Sequence, residues 1–158
     1  MRVTKPAFLF VCVVAIILFL LSPKANAAEG WGPDVIGVHV GSYHLEKMDV
    51  TAGRPWNNAN PGVYARWDNV VVGTYYNSIR KQSVYAGYVY PLVDHFDVVV
   101  GAITGYNGPG YSAKPIMPMV VPSMHFPISN GVEGRVHFLP KAAKGGANVI
   151  HFSLEFKL

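Results

Sequence analysis

The chain has 158 residues, 51% of them hydrophobic and only 14% charged, with a formal charge of +4. Its single cysteine, Cys12, and three of its cations, Arg2, Lys5 and Lys24, all fall before residue 28. Beyond that point the formal charge is only +1 and no thiol remains. This excludes a disulfide framework, a thiol nucleophile and a Cys-rich metal site, and removes basicity as an argument for nucleic acid.

In chain order, the first element is a leader. A basic start, an apolar run from Ala7 to Leu21 and small residues at Ala25 and Ala27 make the three-part pattern of a secretory signal peptide. Cleavage is expected after Ala27, and the apolar run is short of the ~20 residues that a spanning helix needs. Residues 28–158 have the length of a single domain, are rich in Val, Tyr and Phe, and are punctuated by Gly and Pro, which is an all-β composition.

Eight strands are expected, over Val35–Leu45, Gly62–Asp68, Asn69–Tyr76, Ser83–Tyr90, Phe96–Tyr106, Val120–Pro127, Val132–Leu139 and Asn148–Leu158. The last alternates without a break, with Ile150, Phe152, Leu154, Phe156 and Leu158 on one face and His151, Ser153, Glu155 and Lys157 on the other. The apolar face fits a soluble sandwich packed on a second sheet. It equally fits a membrane barrel whose apolar face meets lipid. The leader, and the tyrosines and tryptophans near strand ends, favour an eight-stranded antiparallel outer-membrane β-barrel. The six histidines show no metal-ligand spacing; His39, His125, His137 and His151 lie within strand patterns, where lumen or rim positions are expected. No metal or cofactor is implied.

Between the third and fourth strands the corner "NSIRKQ" carries more chemistry than a turn requires. Read with its surroundings, the chain resembles the lipid A palmitoyltransferase family of eight-stranded outer-membrane enzymes. The resemblance rests on "VGSYHL", a strand ending in an aromatic followed by His44, on Arg54-Pro55-Trp56 in the first outer loop, and on Asn77-Ser78 followed at matched spacing by Ala86-Gly87-Tyr88. A proline ladder at Pro115, Pro118 and Pro122 and the alternating final strand complete it. The resemblance covers nearly all of residues 28–158, and its order and spacing agree except at the first loop, which is shorter here. Two departures stand out: the family's amphipathic N-terminal helix has no counterpart, and its acidic residue is Asn77 here.

That resemblance implies transfer of an acyl chain from a phospholipid to lipid A by His44, Asn77 and Ser78. In this assignment His44 is the base, Asn77 its orienting partner and Ser78 either nucleophile or hydrogen-bonding partner. Arg54 and Trp56 belong to the substrate-binding loop, and Arg80 and Lys81 are placed to meet lipid phosphates. The family's acyl-measuring glycine aligns with Val89, whose bulk implies a chain shorter than palmitate. The implied partners are membrane phospholipid and lipopolysaccharide lipid A, with no nucleic acid, and the protein is expected to be a monomer in the outer membrane. Two other readings stay open: a non-catalytic outer-membrane barrel, and a periplasmic β-barrel that binds a lipid or apolar ligand.

Overall fold

A computed structural model describes residues 32–141 and 145–158; the expected leader, residues 1–27, lies outside them. Ten strands form: β1 (Val35–His44), β2 (Met48–Asp49), β3 (Arg54–Pro55), β4 (Gly62–Trp67), β5 (Val70–Tyr76), β6 (Gln82–Val93), β7 (Phe96–Thr104), β8 (Ile116–Ser129), β9 (Val132–Leu139) and β10 (Val149–Lys157). All eight expected strands are among them. β6 and β8 run further than their spacing predicted, because Pro91 and Pro118 sit inside them rather than ending them. β2 and β3 make a small separate hairpin in the first long loop.

The eight long strands close on themselves in the order β1-β10-β9-β8-β7-β6-β5-β4, with β4 returning to β1, every pair antiparallel. At one end the connections are tight. Asp68, His95 and Gly131 take left-handed φ values of 50°, 67° and 75° there, as two-residue hairpin turns require. At the other end the connections, residues 45–61, 77–81, 105–115 and 140–148, are long. Short turns at one rim and long loops at the other are typical of outer-membrane barrels.

The barrel is inverted relative to a soluble protein. Val72, Val84, Val100, Val120 and Phe152 point outward and are exposed, while His39, Ser123, His151, Ser153 and Glu155 point inward and are buried. In water such an exterior would be a large unpaired apolar surface; against hydrocarbon it costs nothing. Two cross-strand pairs set the inner layer. Tyr64 lies over Gly37 and Tyr85 over Gly73, where a Cβ would come within 1.9 Å and 2.5 Å of the respective rings.

Towards the tight-turn end the lumen is filled by charge. Arg135 pairs with Asp97, and its Nη1 donates to Glu155 Oε1 at 3.1 Å. Arg66 approaches the same oxygen at 3.5 Å, and Tyr64 Oη donates to it at 3.1 Å. Two guanidinium groups thus balance two carboxylates in a site only 1–3% exposed at Glu155 and Arg135.

β1 is irregular at one place that matters. Its register with β10 slips between His39 and Gly41, so Val40 is an extra, bulged residue. In a regular strand His39 and His44, five apart, would face opposite ways. The bulge restores the parity, and both point inward and are buried.

Candidate active site

At the long-loop end, the bulge of β1 aims His44 at the corner that follows β5. His44 Nε2 lies 2.8 Å from Ser78 Oγ. Its other nitrogen, Nδ1, lies 2.6 Å from Asn58 Oδ1. The Trp56 indole stacks on the imidazole, the ring planes inclined by 5° and the centroids 5.2 Å apart. An imidazolium in that position is attracted to the indole face by about 0.5–2 kcal/mol. Glu46, two residues further on, receives the Asn148 backbone N–H at 2.8 Å, which holds its carboxyl below the usual carboxylate range.

The structure therefore brings His44, Ser78 and Trp56 together, and corrects the assignment of Asn77. The Asn77 side chain is fully buried and turned away from His44. Its Oδ1 accepts from the Ile79 and Lys81 N–H groups at 3.0 and 2.9 Å. Its Nδ2 donates to Ser83 Oγ at 2.9 Å and to the Gly105 carbonyl at 3.0 Å. Both lone pairs and both protons of the amide are used, so Asn77 builds the turn that presents Ser78. The turn is tight: Arg80 sits at a left-handed φ of 63° and its N–H returns to the Asn77 carbonyl. For a non-glycine residue that geometry costs about 1–2 kcal/mol.

The other expected site residues are spread around this centre. Arg80 is exposed, with Nη1 on the Pro55 carbonyl at 3.3 Å. Lys81 is exposed, with Nζ on the Asn107 carbonyl at 2.5 Å. Arg54 is exposed on β3. Val89 does point inward, 6% exposed, but lines a separate, deeper cavity of about 60 Å³. Sequence reading missed Asn58. The available signal was "WNNAN", three asparagines in four positions directly after Trp56.

His44, Trp56 and Ser78 open onto a larger, mainly apolar cavity of about 310 Å³, floored by Tyr75, Ile103 and His151. Tyr75, Ile103 and His151 also wall the deeper cavity, so the two abut. On one side the larger one is lined by the barrel wall itself, where two strands part. β8 pairs with β7 from Ile116 onward, yet its pairing with β9 begins only at Ser123. Along that unpaired stretch the cavity is lined by Met117, Pro118, Val120, Pro140, Gly146 and Ala147, of which Pro118, Val120 and Pro140 are exposed. Pro118 and Pro122 carry no N–H to offer a neighbouring strand. The remaining proline of the ladder, Pro115, precedes β8; Pro127, further along the same strand, pairs opposite Glu133 near the far rim.

No protein family and no curated protein matches this chain. Among solved structures, it is similar to a de novo designed transmembrane β-barrel, at 15% identity over 80% of this chain and 97% of that one, with a TM-score of 0.48. A second designed barrel, solved by solution NMR, is similar at 14% identity over 80% and 96% of the two chains, also with a TM-score of 0.48. At this level the likeness is silent on substrate and activity.

Proposed function

We propose that this chain is an outer-membrane acyltransferase that moves a fatty acyl chain from a phospholipid to lipid A or a related lipid acceptor. The observation that carries the reading is the 2.8 Å contact of His44 Nε2 with Ser78 Oγ beside an apolar cavity lined in part by the wall where β8 and β9 separate. A base in contact with a hydroxyl, itself oriented by a third group, is the arrangement of an activated serine nucleophile.

In the first half-reaction Ser78 Oγ attacks the ester carbonyl while its proton passes to His44 Nε2. The bond from the carbonyl carbon to the glycerol oxygen breaks, and that oxygen leaves with the proton from His44. In the second half, the acceptor hydroxyl gives its proton to His44 and attacks the acyl-serine, and Ser78 recovers the proton. Entry between β8 and β9 would suit a substrate that never leaves the bilayer. Drawing a twelve-carbon chain through water would cost roughly 10 kcal/mol at about 0.8 kcal/mol per methylene, whereas passage from lipid into an apolar cavity costs little. Arg54, Arg80 and Lys81, exposed at the rim, supply positive charge for lipid phosphates. Export by the leader and residence in the outer membrane belong to the same reading, as does a chain length below sixteen carbons on account of the bulk of Val89.

Mass spectrometry of lipid A from cells expressing the wild type and Ser78→Ala tests this. An added acyl chain shorter than C16, absent from the variant, is expected. Identical lipid A in both would leave a non-catalytic barrel as the better account, and an added C16 alone would remove the role given to Val89.

A further inference from the structure

We propose that Asn58 is the positioning residue of this site, fixing the His44 proton on Nδ1 and so leaving the Nε2 lone pair to receive the proton of Ser78. Its catalytic meaning rests on the acyl-transfer reading above; its geometric content does not. Asn58 Oδ1 can only accept a hydrogen bond, so the 2.6 Å contact requires the ring proton on Nδ1. In the opposite tautomer two lone pairs would face each other at that distance. Nε2–H would also point at Ser78 Oγ, and the imidazole could no longer act as its base. Asn77, the neighbour that sequence order suggests for this task, has no free donor or acceptor left.

Asn58 is exposed, and water would compete for His44 Nδ1 if the residue were free to swing. Its backbone is tied down instead. The Ser42 N–H donates to the Asn58 carbonyl at 2.9 Å, and the Asn57 N–H donates to the Ser78 carbonyl at 3.1 Å. Asn57 Nδ2 reaches the Asn77 carbonyl at 3.1 Å. Asn60, 1% exposed, accepts from Ser42 Oγ at 2.5 Å and donates to the Tyr76 carbonyl at 3.0 Å. One short segment thereby holds the strand that carries the base and the turn that carries the hydroxyl, with the side chain of Asn58 completing a Ser-His-Asn series. The third member is neutral. The charge that an aspartate would set against the imidazolium is replaced in part by the Trp56 face on the ring.

The test uses the full chain folded in detergent micelles, with two readouts. Nitrogen-15 NMR of the His44 ring reports its tautomer and titration. Labelling by a fluorophosphonate reports nucleophilicity: Ser78 Oγ bonds to phosphorus, fluoride leaves, and the serine proton passes to His44 Nε2. In the wild type the neutral ring is expected to carry its proton on Nδ1. Asn58→Ala should give mixed tautomers and label between ~10-fold and ~10⁴-fold more slowly, the larger figure being the effect of a wrong tautomer in a serine triad. Asn58→Asp, nearly isosteric and so a control for folding, should keep the Nδ1 proton, raise the pH at which the ring titrates, and label at least as fast above that pH. A wild-type proton on Nε2, or an alanine variant that labels at the wild-type rate, overturns the proposal. An Nδ1 proton with no labelling of any form would retain Asn58 as the orienting group and overturn the acyl-transfer reading instead.

Discussion

Asn77 illustrates how one atom decides a residue's work. Its amide donates twice and accepts twice, and an aspartate has no donor to give Ser83 Oγ or the Gly105 carbonyl. Gly105 cannot move away to compensate: at a φ of +87° it is packed so that a Cβ would lie 2.4 Å from the Gln82 carbonyl. Asn77→Asp, the change that would bring the sequence closer to the acidic residue of the resembling family, is therefore expected to destabilise the protein by about 1–3 kcal/mol, the cost of unpaired buried polar groups. Urea unfolding should show it, together with slower fluorophosphonate labelling of Ser78. Equal or greater stability and faster labelling would mean that Asn77 does orient the base. Acidic replacement thus has opposite expected outcomes at Asn58 and Asn77, a contrast that fold-wide effects would not produce.

At the scale of a strand, β1 shows what alternation can and cannot reveal. The final strand was legible because Ile150 to Leu158 alternate without interruption, and β10 indeed turns His151, Ser153 and Glu155 inward. The facing of His44 was not legible, since strict period two from His39 sends it outward. The bulge at Val40 is set by pairing with β10 across the sheet, which no local pattern in β1 encodes. Asn58 was hidden for a similar reason: its partner is fixed by how a loop docks between β1 and the turn after β5, and only the run of asparagines hinted at it. Deleting Val40 tests the bulge. If it is the extra residue, the deletion leaves His44 facing inward and Ser78 labelling persists. In a regular strand the same deletion would turn His44 to the outside and abolish labelling.

For the molecule as a whole, charge is divided by end. Among the described residues, Lys47, Arg54, Arg80, Lys81, Lys114 and Lys141 stand with Glu46 and Asp49 around the site, while Asp34, Asp68, Asp94 and Glu133 stand with Lys157 at the tight turns. A positive mouth attracts anions in general, and the attraction is damped by salt. Between the two ends the Arg135 cluster holds the barrel shut, and its cost lies in breaking it. Arg135→Met should lower stability in urea by about 3–5 kcal/mol, because Asp97 would be left buried without its partner and Glu155 with Arg66 as its one remaining cation. A loss under 1 kcal/mol would mean that water reaches the pair.

That same cluster gives the barrel a property distinct from any reaction at its rim. A closed cylinder of strands is a conduit by default unless side chains fill its interior. Here guanidinium and carboxylate groups paired across the bore occupy it. A membrane that held such a barrel would gain a protein without gaining a pore.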